Sequence, residues 1–139
     1  LQTAGWLYRG DRAHIAAGMK RAYELFPILS ERRHEPAANL SGGQQQMLAL
    51  SMAFLQRPRL LMIDELSLGL APRVVERIDD VLREINRSGL TILLVEQDVF
   101  TAFELADHGC VLETGRISLA GATSTLADDP RIRQAYLGM

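Results

Sequence analysis

Cysteine is nearly missing from this chain: Cys110 stands alone, so no internal disulfide can form, and no CxxC or Cys/His cluster beside it could hold zinc. A reducing compartment is the simpler expectation. Lysine is equally scarce, Lys20 being the only one, and no basic block is longer than the pair Arg32-Arg33. With 15 Lys+Arg against 17 Asp+Glu the formal net charge is -2, which gives no electrostatic footprint for nucleic acid or an anionic membrane surface. No apolar run reaches the roughly 18 to 20 residues of a membrane-spanning helix. Leu1-Gln2-Thr3-Ala4 lacks the charged start and apolar stretch of a signal peptide, and the first residue is not methionine, so a processed chain or a piece of a longer one is expected. What is present, 139 residues with 47% hydrophobic and 23% charged, is a globular composition long enough for one packed core. Disorder and coiled coil are poor starting points for it.

Residues 11 to 26 place Ile15, Met19, Ala22, Tyr23 and Phe26 at helical spacing, and Pro27 stops the pattern, which predicts an amphipathic helix. Residues 30 to 36 then read as a charged, solvated connection that includes His34. Ser41 can cap a second helix, with Gln44 completing a capping box and Met47, Leu50, Ala53 and Phe54 marking one face until Arg57-Pro58. Leu60-Leu61-Met62-Ile63 is a continuous apolar run, the pattern of a strand covered on both faces, and it stops at Asp64-Glu65. Pro72 opens a helix whose stripe is Val75, Ile78, Val81, Leu82 and Ile85, Gly89 closes it, and residues 90 to 95 repeat the buried-strand pattern. Strand, helix, strand is a βαβ unit, and the fold class expected is therefore α/β with a parallel sheet. A short helix through Ala106, a hairpin over 110 to 119 turning at Thr114-Gly115, and two short helical turns between Thr123 and Met139 complete the reading.

Two short stretches carry chemistry. Leu40-Ser41-Gly42-Gly43-Gln44 opens a helix. Two glycines let a ligand approach the backbone, and the free N–H groups and dipole at a helix start suit an anion such as phosphate. Asp64-Glu65 leaves the C-terminal end of a strand, where open α/β sheets bind ligands; Asp64 suits a hydrated Mg2+ and Glu65 suits a base for water. Each has a plainer explanation, a capping box for the first and a solvated turn for the second, and it is their combination that argues for phosphoryl chemistry.

In that combination residues 40 to 44 resemble the signature motif of ATP-binding cassette (ABC) ATPases and residues 61 to 65 their Walker-B strand. Ser67-Leu68-Gly69-Leu70 is similar to the D-loop and Leu94-Val95-Glu96-Gln97 to the switch loop. Residues 67 to 72, 95 to 97 and 113 to 117 resemble the ATPase subunit of branched-chain amino-acid importers. The resemblance implies a partial P-loop NTPase domain: residues 1–57 as part of a helical subdomain with the signature helix, and residues 58–139 as the C-terminal part of the ATPase core, with sheet, helices and hairpin. It implies ATP and Mg2+ as cofactors of the full-length relative, Glu65 and Gln97 as catalytic residues, Leu40, Ser41, Gly42, Gly43 and Gln44 as nucleotide-binding residues, and Asp64 at the metal. It also implies a second ATPase subunit and membrane permease subunits as partners, no nucleic acid, and a cytoplasmic place at the inner face of the membrane.

Three departures qualify that likeness. Leu66 stands where most of the family has proline, which frees the turn after Glu65 and is expected to loosen the aim of its carboxylate. Gln97 stands where most have histidine; its amide can still bond a terminal phosphate but cannot titrate. No Gly-x-x-x-x-Gly-Lys occurs, Lys20 lying inside the first helix, so the chain alone is expected neither to bind ATP tightly nor to hydrolyse it. Two functions follow: part of an ATP-hydrolysing import subunit, or a non-catalytic binding or oligomerisation module. ABC-type ATPases of DNA repair fit less well, since the signature and Walker-B stretches are close together without an inserted coiled coil. In the P-loop class the Walker-A strand lies between the switch-loop strand and residues 109 to 113. Here that strand is missing, so either self-association through the 90 to 95 edge or inward movement of 109 to 113 is expected. Trp6 and Tyr8 are expected to pack on the helical subdomain, with contact to a membrane subunit as the alternative. His14 and His108 are expected at the surface or at caps, and Cys110 in the core.

Overall fold

The computed structural model describes residues 1–134, without the side chains of Gln2, Thr3, Leu7 and Phe100. Contacts divide the chain into two compact units, residues 1–61 with 66–93, and residues 62–65 with 94 onward.

The first unit is helical. After a 3-10 turn over Gln2–Tyr8, helix α1 (Arg12–Leu25) is capped by Asp11, whose carboxylate accepts from the His14 N–H at 2.8 Å. Pro27 ends the α1 ladder, yet the chain does not run straight into a solvated connection: proline at the first helical position starts a further turn, α2 (Pro27–Glu31), with Leu29 buried. Helix α3 (Gly42–Leu55) starts at Ser41 as expected. Its buried face is Gly43, Met47, Leu50, Ser51 and Leu55, while Ala53 and Phe54 are only half-buried, so the face is rotated from the expected one. Ser51 tolerates burial because its hydroxyl donates to the Met47 carbonyl at 2.8 Å.

Helix α4 (Pro72–Arg87) has proline at its first turn and buries Ile78, Val81, Leu82 and Ile85 of the expected stripe, while Val75 in its first turn is only half-buried. With Leu25, Phe26, Met47 and Leu55 these side chains form the unit's core, each worth about 1.5–3 kcal/mol of transfer free energy. Arg77 donates to the Leu25 carbonyl and Arg21 pairs with Glu84, tying α4 to α1 at both levels. Of the two places expected for His14, surface or cap, the structure has the cap: the side chain is buried, and its Nε2 donates to the Leu55 carbonyl at 2.9 Å, at the C-terminal end of α3. Tyr8 stacks on it with ring centres 4.0 Å apart and donates to the Gln56 carbonyl. Trp6 does not pack; it is exposed, with the Arg9 guanidinium 4.7 Å over its ring.

Strands β1 (Leu60–Asp64) and β2 (Thr91–Val95) pair with one another in a two-stranded parallel sheet. Burial along β1 alternates: Leu61 and Ile63 are buried while Leu60 and Met62 are exposed, Met62 at 69%. Cover on both faces, expected from the unbroken apolar run, is therefore absent among the described residues. Leu93 and Val95 of β2 are likewise exposed.

In the second unit, helix α5 (Val99–Leu105) leads to an antiparallel hairpin of β3 (His108–Glu113) and β4 (Arg116–Ala122). Thr114 and Gly115 have φ of 51° and 76°, the pair of left-handed residues that a tight hairpin turn requires. The hairpin is longer than expected at its open end, with Gly109 opposite Gly121. Cys110 is exposed, not a core residue. β3 pairs with β4 and not with β2, so residues 109 to 113 have not moved in beside β2. Helices α6 (Thr123–Leu126) and α7 (Pro130–Ile132) follow, burying Leu126 and Ile132. The remainder of the tail, 135 to 139, lies outside the described residues.

Candidate functional site

The glycine-rich helix start is built almost wholly from neighbours in sequence. The Gln44 N–H donates to Ser41 Oγ at 3.4 Å and Gln44 Oε1 accepts from the Ser41 N–H at 3.0 Å, closing the capping box. Gln45 adds a side-chain bond to the Leu40 carbonyl at 3.1 Å. Within the first turn the Gly42 and Gly43 N–H groups have no intrahelical acceptor, and the helix dipole concentrates positive potential on them. The Ser41 hydroxyl keeps its own proton to donate.

The two glycines differ. A Cβ on Gly42 would meet nothing within 4 Å, whereas one on Gly43 would fall 2.7 Å from Val74 Cγ1 of α4. Gly43 thus permits the close approach of α3 to α4, and Gly42 leaves open space above the helix start. Leu40 is half-buried, Ser41 and Gly42 are exposed, and Gln44 is half-buried.

Asp64, Glu65 and Gln97 belong to the second unit. Asp64 ends β1 and is exposed. Glu65 takes φ of 48°, a left-handed conformation that costs a residue with a Cβ about 1–2 kcal/mol and persists only where its surroundings hold it. Two bonds do so. The Glu65 N–H donates to the Val95 carbonyl at 2.9 Å, and the Gln97 side-chain amide donates to Glu65 Oε1. The carboxylate is therefore tied at its backbone and at its tip to the exit of β2, and the loose aim expected after Leu66 is not what the turn shows. Leu66 itself is 6% exposed, a buried side chain where solvated turn would otherwise be expected after two acids.

Among the described residues no group of three His, Cys, Asp or Glu could hold a metal as an all-protein cage. A cavity of about 660 Å³ lined by Phe54, Arg57, Arg59, Ser88 and Thr91 opens at the N-terminal ends of the strands, the end opposite to where open α/β sheets bind ligands.

The sequence placed Asp64, Glu65 and Gln97 correctly at strand exits but showed neither the Glu65–Gln97 bond nor the left-handed backbone at Glu65. The one signal for the latter was the absence of proline at position 66.

Comparison with known proteins agrees with this architecture. A family described as "AAA domain, putative AbiEii toxin, Type IV TA system" matches residues 28–95, from α2 through β2. The solved ATP-binding subunit of an ABC transporter superposes with a TM-score of 0.79 at 27% identity, over 99% of this chain and 57% of that one. The chain thus has the P-loop NTPase fold of a partial ABC ATPase domain. In sequence it is similar to the high-affinity branched-chain amino acid transport ATP-binding protein BraG of Pseudomonas aeruginosa, with 43% identity over 92% of this chain and 55% of that protein. The probable branched-chain amino acid transport ATP-binding protein LivF of Archaeoglobus fulgidus is 33% identical over 95% of this chain and 56% of its own length. Methionine import ATP-binding proteins match as well, that of Mesorhizobium japonicum at 37% over 88% of this chain. The chain spans a little over half the length of the branched-chain relatives.

Proposed function

We propose that the chain is the C-terminal portion of an ABC ATPase subunit that couples ATP hydrolysis to import of branched-chain amino acids. The observation that carries this is the Glu65 carboxylate held by the Gln97 amide at the C-terminal ends of β1 and β2. Residues 1–57 would supply part of the helical subdomain and residues 58–139 part of the ATPase core.

The residues fit the ligands that this reading needs. Open space above Gly42, two N–H groups without intrahelical acceptors and the Ser41 hydroxyl suit a phosphate oxygen, with Leu40 and Gln44 holding the turn. One exposed carboxylate at Asp64 suits Mg2+ that keeps most of its water and takes its other ligands from phosphates. When bound, that ion neutralises phosphate charge. Glu65 takes a proton from the attacking water, and Gln97, with two amide hydrogens, can hold Glu65 with one and a terminal phosphate oxygen with the other. As a neutral amide it orients without exchanging protons.

The partners would be a second ATPase subunit, whose nucleotide meets the Ser41 helix, and membrane permease subunits, with the protein at the cytoplasmic face of the membrane and no nucleic acid bound. The branched-chain substrate rests on the BraG and LivF likenesses, set against the methionine importers. A second reading, a non-catalytic module that binds a partner or self-associates, is favoured by the exposed Met62, Leu93 and Val95 on the two-stranded sheet. Calorimetric titration of the chain with magnesium-ATP addresses both: no tight binding is expected in the absence of a Gly-x-x-x-x-Gly-Lys loop.

To test the first reading, the chain is fused to the N-terminal portion of the Pseudomonas aeruginosa relative. Glu65→Gln should then lower turnover by about 10²–10⁴-fold while nucleotide binding stays largely intact. Unchanged turnover would remove Glu65 from this role.

A further inference from the structure

We propose that Leu66 is a positioning residue: because it is not proline, Glu65 can hold a positive φ, and that backbone conformation brings the Glu65 carboxylate to the Gln97 amide. The functional weight of this rests on reading Glu65 as the group that activates water.

Three observations meet at this turn. Glu65 has φ of 48°. Its N–H is fixed on the Val95 carbonyl at 2.9 Å. Its Oε1 accepts from Gln97, two residues beyond Val95. With the N–H anchored, the φ rotation decides on which side of the peptide the Cα–Cβ bond leaves, and so where the carboxylate points. A proline at position 66 would clash with the N–H and Cβ of residue 65 and drive it to an extended conformation with negative φ. The same anchored N–H would then send the side chain away from Gln97.

Leu66 is also buried, so loss of packing must be separated from restriction of the preceding residue. Leu66→Ala removes the packing and leaves residue 65 unrestricted. Leu66→Pro removes the packing and restricts residue 65 as well. The readout is hydrogen exchange and chemical shift of the Gln97 side-chain amide by NMR on the 139-residue chain, together with couplings that report φ at Glu65.

The unmutated chain should show a positive φ at Glu65 and a protected Gln97 amide, and Leu66→Ala should keep both. Leu66→Pro should expose the amide, with exchange about fivefold to tenfold faster, the loss expected for one hydrogen bond. A Gln97 amide equally protected in Leu66→Pro overturns the proposal. If that variant fails to fold, a negative φ at Glu65 in the unmutated chain, or an amide exposed in Leu66→Ala, overturns it just as well. These outcomes involve no nucleotide, so they are independent of whether Glu65→Gln lowers turnover in the fused domain.

Discussion

The N-terminus of α3 and the exit of β1 both present polar groups at the end of a regular element, and they are held in opposite ways. At the helix start the hydrogen bonds join Leu40, Ser41, Gln44 and Gln45, residues no more than five apart. At the strand exit Glu65 is held by Val95 and Gln97, some thirty residues away, and its backbone sits in a conformation that a residue with a Cβ adopts at a cost. The first arrangement is a property of a short peptide segment. The second exists only once β1 and β2 have paired, so it is the part of the molecule whose geometry depends on the rest of the sheet.

The largest effect expected from this contrast lies in the adjacent glycines of α3. Gly43→Ala would place a methyl group 2.7 Å from Val74 Cγ1, and the stiff β-branched valine has little room to turn away. A loss of about 1–3 kcal/mol is expected from such overpacking. Gly42→Ala meets nothing within 4 Å, and alanine is the better helix former by up to about 1 kcal/mol, so stability should hold or rise. Urea unfolding of the two variants measures both. Equal stability losses would mean that the helix start depends on its glycines as a pair and not on the close approach to α4.

Somewhat smaller is the difference between the two hydrogen-bonded ends. Ser41→Ala removes the cap that closes the box with Gln44 and should cost about 1 kcal/mol of global stability. Gln97→Ala removes an exposed bond and should stay within about 0.5 kcal/mol. Thermal unfolding should therefore rank Ser41→Ala below Gln97→Ala, while only the latter releases Glu65. The reverse ranking would show that the strand exit, not the helix cap, carries the stability.

This same contrast explains what could be read in advance. The capping box at Ser41, the proline start and apolar stripe of α4, and the Thr114-Gly115 turn are local patterns, and the structure has them where the residues place them. The burial of β1 is not legible in the same way, because an unbroken apolar run says what a strand can bury, not what is present to cover it; Leu60 and Met62 face no cover among the described residues. For His14 the sequence leaves surface and cap open, because the partners that decide for the cap, the Leu55 carbonyl and Tyr8, come from elements outside α1. Of the candidate site, the residue identities were legible and the Glu65–Gln97 bond was not, since it needs two strands in register and a left-handed residue that no periodicity announces.

The smallest effect concerns another helix start that, like α3, is held by its own neighbours. Asp129 caps α7: its Oδ1 accepts from the Arg131 N–H at 2.8 Å and from Arg131 Nε at 3.1 Å, and its Oδ2 from Arg131 Nη2 at 2.9 Å. The side-chain bond to Arg131, and then the backbone bond, hold the Asp129 carboxyl below the usual carboxylate range. A depressed carboxyl stabilises the folded form at pH values above its unfolded value, near 3.9, and that contribution is lost as the pH falls through the lower folded value. Nothing should therefore change between pH 7 and pH 5, and α7 should loosen only in stronger acid. Arg131 is exposed and Asp129 half-buried, so the pair is open to solvent on the Arg131 side and added salt should weaken the effect. Carboxyl-detected NMR titration should place the Asp129 midpoint below that of an ordinary aspartate in the parent chain and return it towards the ordinary value in Arg131→Ala. A midpoint that ignores Arg131 would mean that the backbone bond alone sets it, and that this cap, unlike the one at Ser41, owes nothing to a reciprocal side chain.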